Sequence, residues 1–324
     1  MMSANITCPN CKSENDCSEF SREEHLVLYC ANCDAELGEV VPKIILIKES
    51  FYFLLNAFIY ILVIGTSAYA FENYNELKGI TGFICLFSFY LASIALHEFS
   101  HAFFAYIFGD YTILEKGYLR LNILKYFHGP HSFIMPGIQV LFTGVFLPGA
   151  AVYLRLDLIK YRLYKFIAIV SGPFSHLIFL YFLLSLINSS SLNYSNGFAA
   201  LLHIAAFIQL VMFVINILPI PGLDGWNAIF SLTFERFGNF LSRYLSLPSI
   251  ALFMYALIFI EEFSLYILDK WDLLLDMFSQ INIDLAVTGF DEYMRIIDED
   301  TLKSIQIWLE EIIGKDAVQI LNYL

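Results

Sequence analysis

Residues 79–108 read GITGFICLFSFYLASIALHEFSHAFFAYIF, an apolar run in which Glu98 is the only Asp, Glu, Lys or Arg. A helix that crosses the hydrocarbon core of a bilayer needs about 20 mostly apolar residues. This stretch therefore predicts a transmembrane helix that carries a short polar patch, HEFSH at 97–101. Ionisable groups at membrane depth cost free energy and usually mark function.

Further apolar runs predict an α-helical polytopic membrane protein. Of the 324 residues, 58% are apolar and 15% are charged, against about 25% charged in a typical soluble domain. This composition excludes an ordinary soluble enzyme, and the net charge of −13 argues against nucleic-acid binding. We expect about five to six transmembrane helices. The clear spans are 51–71, 79–108, 166–187 and 198–217, and the less regular candidates are 133–154 and 248–275.

The run 133–154 is interrupted by Pro and Gly residues, which favours a re-entrant or partly extended segment. The connectors 109–130 and 155–165 carry basic residues, whereas the connector 188–197 carries no charge. The positive-inside rule therefore places the first two connectors in the cytoplasm. This arrangement requires that 133–154 does not cross the bilayer. It also places the N-terminus in the cytoplasm.

Two terminal segments, 1–47 and 277–324, flank the transmembrane core 48–276. The first contains two CxxC pairs separated by 18 residues, formed by Cys8, Cys11, Cys30 and Cys33. This spacing is typical of a four-thiolate zinc site, and metal binding would stabilise a segment too short for a large core. We predict a cytoplasmic zinc ribbon with a structural zinc ion. The alternatives are a redox CxxC pair and two disulfides.

The C-terminal segment is acidic, since residues 269–324 contain 12 acidic and 4 basic residues. Its apolar residues recur at helical spacing at Leu302, Ile305, Trp308, Leu309 and Ile312. We expect an amphipathic helix there that forms a small cap or an interface.

The patch at 97–101 is an HExxH motif. Positions i and i+4 lie on one face of a helix, so His97 and His101 can bind the same zinc ion. Glu98 lies about 100° around the helix from His97, close enough to take a proton from water at that ion. The alternative is a chance occurrence, which the cost of ionisable groups at membrane depth disfavours.

A catalytic zinc site needs a third protein ligand and an open position. The candidate is Asp224, which follows the span 198–217 within NILPIPGLDG at 216–225. Two prolines end that helix and place Asp224 in a loop on the cytoplasmic side, the side predicted for the histidines. The alternative role for Asp224 is a helix N-cap. Asn216 is a candidate for binding a substrate backbone or for capping the broken helix end.

These motifs together resemble the site-2 protease family of intramembrane zinc metalloproteases. Three of the family's motifs stand in its order: HExxH at 97–101, a Gly-Pro motif at 171–176, and the Asn-to-LDG motif at 216–225. The linking region 109–130 is similar to that of one bacterial subgroup. The resemblance covers about residues 79–275 and includes neither terminal segment.

The resemblance implies hydrolysis of peptide bonds in or near transmembrane segments of membrane-protein substrates. It implies a catalytic zinc ion, a general base and a multi-pass protein of the bacterial cytoplasmic (inner) membrane. The implied zinc ligands are His97, His101 and Asp224, and the implied base is Glu98. The N-terminal ribbon would add a cytoplasmic partner of its own.

Two positions depart from the family pattern. His176 stands where the family often has Asn, and we take it, with Asn216, as a candidate substrate-binding residue. Trp226 stands where a small or polar residue is more usual. Two other functions stay open, a catalytically silent relative that binds membrane proteins and a metal transporter. The intact Glu98 argues against the first, and ligands gathered at one point argue against the second.

Overall fold

The protein is described here by a computed structural model, in which the chain divides into two compact units. Unit 1 comprises Met1–Ile61, Leu91–Phe179 and Gln209–Trp271, and unit 2 comprises Leu62–Tyr90, Leu180–Ile208 and Asp272–Leu324. The predicted catalytic residues all belong to unit 1. The structure describes residues 5–7, 11–16, 26–29, 32–33, 36–40, 43–74, 77–126, 152–189, 196–233, 237–238, 240–242, 244–245, 249, 252, 281–282 and 285.

Long apolar helices dominate the described part of the chain. In chain order the helices are α1 (Lys43–Asn73), α2 (Lys78–Ile107), α3 (Thr112–Lys116), α4 (Ile123–Tyr126), α5 (Arg162–Ile187), α6 (Asn196–Ile217) and α7 (Asp224–Leu232), with 3-10 turns at Tyr118–Arg120 and Leu156–Leu158. Four of them are long and apolar enough to span a membrane: α1, α2, α5 and α6. The predicted α-helical membrane fold and its four clear spans are confirmed. The candidate span 248–275 and the tail 277–324 lie almost entirely outside the described residues.

Helix α1 begins at Lys43, eight residues before the predicted span, and therefore includes the acidic residue Glu49. The Glu49 side chain is buried and binds the Arg120 guanidinium through two nitrogens, with an Nη2–Oε1 distance of 2.7 Å. Arg120 also lies over the Tyr52 ring, and Asn56 Nδ2 donates to the Arg120 carbonyl. These contacts stabilise a charged residue inside an apolar helix, since a paired charge is far less costly to bury than a lone one.

The connector between α2 and α5 starts and finishes on the same side of this helix pair. His101, six residues before the end of α2, donates from Nδ1 to the carbonyl of Ala168, six residues after the start of α5, over 2.9 Å. The end of α2 and the start of α5 therefore lie side by side. This arrangement agrees with two basic connectors on one side of the membrane. The re-entrant segment expected at 133–154 lies outside the described residues apart from 152–154, and it stays a prediction.

Two β-hairpins form the described part of the N-terminal segment. Strands β1 (Asn5–Thr7) and β2 (Glu14–Asp16) pair antiparallel, as do β3 (Leu26–Tyr29) and β4 (Glu36–Val40). Cys11 follows β1 and Cys33 follows β3, and Asn32 Nδ2 lies 3.9 Å from Cys11 Sγ. Cys8 and Cys30 lie outside the described residues. The zinc ribbon therefore stays a prediction.

The core of unit 2 is apolar. Phe71, Cys85, Leu201 and Leu202 are fully buried there. Gly82 allows the close packing of α2 on α1, because a Cβ atom at this position would lie 3.1 Å from the Phe71 ring. A side chain at position 82 would therefore require the Phe71 ring to shift by a few tenths of an ångström.

Candidate metal centre and active site

Three side chains converge on one point in unit 1. His97 and His101 project from α2, and Asp224 projects from the first residue of α7. The Nε2 atoms of the two histidines are 3.0 Å apart, and each lies close to Asp224 Oδ2, at 3.1 Å for His97 and 3.2 Å for His101. The structure thus brings together the three predicted metal ligands. Asp224 follows His101 by 123 residues in the chain.

The cluster fits a zinc ion. Four tetrahedral ligands at about 2.0–2.1 Å from zinc are separated from one another by about 3.3 Å. The three observed separations, 3.0, 3.1 and 3.2 Å, are close to this value. Two imidazole nitrogens and one carboxylate oxygen are also a donor set of catalytic zinc sites, which keep a fourth position open. The geometry and the donor atoms therefore support zinc at this point.

The backbone between α6 and α7 places the Asp224 carboxylate at the metal cluster. The helix ends at Ile217, and Pro219 and Pro221 cannot continue it because they lack the backbone N–H. Gly222 then adopts a positive φ of 101°, and Leu223, in an extended conformation, is the N-cap of α7. Asp224 is therefore the first helical residue and not the cap.

Burial opposes ionisation of the Asp224 carboxyl, but the charges and hydrogen bonds of His101 and His97 outweigh this effect. They hold the pKa of Asp224 well below its usual range. The carboxylate form, which is the form that binds a metal ion, is therefore the stable one.

Two glycines allow the close approaches on which the cluster depends. A methyl group at Gly172 of α5 would overlap the Nε2 atom of His101. A methyl group at Gly225 would overlap the backbone carbonyl of Ile217. Each belongs to a motif identified in the sequence, so the structure explains why these motifs contain Gly.

The second nitrogen of each histidine ligand is hydrogen-bonded to the protein. His101 Nδ1 donates to the Ala168 carbonyl, and His97 Nδ1 lies 3.1 Å from Nε2 of His176. His176 Nδ1 in turn lies 2.9 Å from Oε1 of Gln209 on α6. His176, the candidate for substrate binding, is thus placed behind a metal ligand, and direct contact with substrate stays a prediction. Gln209 was not singled out from the sequence, although an amide in the middle of an apolar span was a signal.

Glu98 is buried beside the cluster. Its carboxylate interacts electrostatically with His97, His101 and Asp224. Its Oε2 accepts a 2.8 Å hydrogen bond from the backbone N–H of Val152, in the segment that leads into α5. The predicted base therefore lies where it can serve the metal site, and a backbone group that the sequence did not reveal orients it.

The segment 152–155 forms hydrogen bonds with α2, with the loop that follows it and with α3. The Arg155 N–H donates to Asp110 Oδ2 over 2.8 Å, and Thr112 donates to the other oxygen of that carboxylate. Lys116 Nζ donates to the Tyr153 carbonyl over 2.7 Å. Three successive anchors, counting Val152, thus hold this segment against the site.

Asn216, at the end of α6, and Trp226, in the first turn of α7, are not part of the metal cluster. Asn216 is buried, and its Nδ2 donates to the Met212 carbonyl one turn earlier in α6. Trp226 Nε1 donates to the Gly238 carbonyl, and its ring packs on Phe230. The substrate-binding role of Asn216 stays a prediction.

Comparison with known proteins finds relatives that are each named a putative zinc metalloprotease. The chain is 36% identical over 182 residues to "Putative zinc metalloprotease Rip2" of Mycolicibacterium smegmatis, a match that covers 53% of this chain and 68% of the relative. It is 35% identical over 150 residues to the protein of the same name in Mycobacterium tuberculosis, covering 45% of this chain and 56% of that one.

A "Putative zinc metalloprotease YwhC" of Bacillus subtilis is 32% identical over 146 residues, which cover 43% of this chain and 64% of the relative. No protein-family model matches the chain, and no solved structure matches it significantly. The names of the relatives support a metalloprotease function and a zinc cofactor. Together with the apolar helices they indicate an integral membrane protein. The chain belongs to the site-2 protease family of zinc metalloproteases.

Proposed function

We propose that this protein is an intramembrane protease, which hydrolyses peptide bonds in or near transmembrane segments of membrane-protein substrates. The observation that supports the proposal is the position of the metal cluster along α2, a helix that is long and apolar enough to span a membrane. His101 and His97 stand six and ten residues before the end of α2, about 9 and 15 Å along a helix that rises 1.5 Å per residue. The apolar core of a bilayer is about 30 Å thick. With the end of α2 at the membrane surface, a peptide bond that reaches this cluster would enter the hydrocarbon region.

The proposed chemistry is hydrolysis assisted by a general base. Bound to His97, His101 and Asp224, zinc would supply Lewis acidity that polarises a peptide carbonyl and acidifies water. Glu98 takes one proton from the attacking water as its oxygen bonds to the carbonyl carbon. As the C–N bond breaks, Glu98 returns this proton to the leaving nitrogen. The bond from the Val152 N–H to Oε2 keeps the carboxylate turned toward the cluster during both transfers.

A substrate helix must unwind before cleavage, because its carbonyls are engaged in helical hydrogen bonds. An extended substrate would pair with extended backbone of the enzyme, as in strand addition. Within 152–155, however, backbone groups of Val152, Tyr153 and Arg155 already bond to Glu98, Lys116 and Asp110. These contacts make the segment a support for the active site, and any strand addition would use other backbone groups.

The terminal segments and the membrane position complete the proposal. The two CxxC hairpins would bind a second, structural zinc through Cys8, Cys11, Cys30 and Cys33, and the ribbon would contact a cytoplasmic partner. The N-terminus would lie in the cytoplasm of a bacterium, with the core in the inner membrane. Zinc content tests the ribbon: a variant with all four cysteines changed to serine should lose one zinc ion per chain and retain one. Unchanged zinc content would contradict it.

The decisive experiment compares Glu98→Gln with wild type, in liposomes that contain a substrate with one transmembrane helix. A general base contributes about 10²–10⁴-fold to a rate, so we expect kcat to fall at least 100-fold while the zinc content stays the same. The matched control is Glu115→Gln, at an exposed position of α3, which should cleave normally.

The same experiment separates the alternative functions. A silent relative would show no cleavage by wild type. A metal transporter would move zinc across the liposome membrane and would not cleave the substrate. Cleavage of a soluble peptide but not of the membrane-spanning substrate would support the metalloprotease and refute its intramembrane action.

A further inference from the structure

We propose that His176 and Gln209 are positioning residues that fix the tautomer and the ring orientation of the zinc ligand His97. This inference rests on the proposed zinc site and adds two side chains to it. Neither residue lies among the three metal ligands, and both come from helices other than α2.

The first observation is the burial of two polar side chains. His176 and Gln209 are each 1% exposed, and both lie inside apolar spans. A buried polar group without a hydrogen-bond partner costs several kcal/mol in an apolar medium. These two bond to each other over 2.9 Å, and the free end of the pair reaches His97 Nδ1 at 3.1 Å. The pair is therefore placed to bind Nδ1 of His97, the ring nitrogen that does not face the metal cluster.

The direction of the hydrogen bonds follows from the chemistry of imidazole. A neutral imidazole carries hydrogen on one nitrogen and a lone pair on the other. If His97 Nε2 binds the metal, its hydrogen lies on Nδ1, which donates to His176 Nε2. His176 then carries its own hydrogen on Nδ1, which donates to Gln209 Oε1. Each imidazole nitrogen then has a partner, and the three side chains carry no net charge.

The reverse direction would prevent metal binding. If the Gln209 amide nitrogen donated to His176 Nδ1, then His176 Nε2 would donate to His97 Nδ1. The hydrogen of His97 would then lie on Nε2, the atom that faces Asp224 and His101. The orientation of the Gln209 amide thus selects between a tautomer of His97 that can bind a metal ion and one that cannot.

The second histidine is held differently. His101 Nδ1 meets the Ala168 carbonyl, and a carbonyl can only accept. A backbone group therefore fixes the His101 tautomer, whatever side chain stands at 168. For His97 the same task falls to two side chains, so substitution of either should weaken zinc binding through that ligand alone.

The test measures zinc affinity by competition with a chromophoric chelator, on the full-length protein in detergent. Gln209→Met keeps the side-chain length and removes the acceptor, and Gln209→Glu keeps the acceptor. Groups that orient metal ligands typically contribute 10–100-fold to affinity. We expect the zinc Kd to rise about 10-fold in Gln209→Met and to stay near wild type in Gln209→Glu. Asp224→Ala defines the signal from zinc bound elsewhere.

A spectroscopic readout separates positioning from general destabilisation. In the cobalt-substituted protein, the visible absorption of the metal reports its ligand geometry. We expect the bands to shift in Gln209→Met and to return in Gln209→Glu. The control is Asn73→Leu, which removes an amide of α1 that bonds within its own helix, to the Tyr69 carbonyl. It should leave both the Kd and the spectrum unchanged.

His176→Phe provides a second variant, which keeps a ring and removes both nitrogens. Its zinc Kd should rise 10–100-fold. Wild-type affinity in both Gln209→Met and His176→Phe, with zinc lost in Asp224→Ala, would overturn this proposal and leave the protease standing. Weakened zinc binding in a protein that cleaves no membrane substrate would support the positioning role and refute the proposed function. If Asp224→Ala removed no zinc, the positioning proposal and the proposed function would both be refuted.

Discussion

Gly172 sets how closely α5 approaches the metal cluster, and Gly172→Ala should therefore disrupt zinc binding. A Cβ atom at this position would lie 2.8 Å from His101 Cδ2 and would overlap Nε2 and Cε1 of the same ring. Ordinary contacts of a Cβ atom begin at 3.4 Å. The ring or the helix must therefore move by more than about 0.5 Å, the tolerance within which a functional constellation must be held.

The size of the effect follows from what that movement breaks. It displaces one of three protein ligands and lengthens the 2.9 Å bond from His101 Nδ1 to the Ala168 carbonyl. We expect the zinc Kd to rise at least 100-fold, or about 2.8 kcal/mol at about 1.4 kcal/mol per factor of ten. The assay is chelator competition on purified protein, with cleavage of a membrane-spanning substrate measured in parallel.

The matched control is Gly65→Ala, the same substitution within α1. Within the described part of the chain, nothing beyond the adjacent residues and backbone of α1 lies within 4 Å of a Cβ built at Gly65, so zinc affinity and cleavage should be unchanged. Wild-type zinc affinity in Gly172→Ala would refute the reasoning, because α5 would then not lie against His101 as the structure describes.

Two further substitutions test contacts that support the site. Val152→Pro removes the backbone N–H that donates to the Glu98 carboxylate, so we expect kcat to fall about 10-fold while the zinc content stays unchanged. The control Val152→Ala keeps this N–H and should retain activity. Equal kcat values in the two variants would contradict the role of the hydrogen bond. Glu49→Leu should lower the free energy of unfolding by about 3 kcal/mol because it leaves Arg120 unpaired, and adding Arg120→Leu should recover part of the loss in thermal unfolding. An unchanged melting temperature in the single variant would show that the pair contributes no stability.

The sequence was sufficient to predict the three side chains that the structure brings together at the candidate metal centre. The two histidines share a helical face by their spacing, and the prolines after the span 198–217 indicated that Asp224 leaves the helix. Both features are local, so they need no knowledge of how helices pack.

The supporting contacts could not be predicted in the same way. The N–H of Val152 is a backbone group, present at every residue except proline, and therefore carries no signal in the sequence. Helix α1 begins eight residues before the predicted span 51–71, and its buried Glu49 pairs with Arg120, which stands 71 residues further along the chain. Such pairings depend on the tertiary structure, which cannot be read from the spacing of residues along the chain.

The distribution of the metal ligands along the chain has a consequence for the protein's own synthesis. His97 and His101 are made together, but Asp224 follows 123 residues after His101. At a translation rate of about 5–20 residues per second, the third ligand emerges roughly 6–25 s after the first two. During that interval the nascent chain holds only a two-histidine site. We expect the enzyme to be inert while its early helices enter the membrane, and to gain activity only when α6 and the loop after it have been inserted.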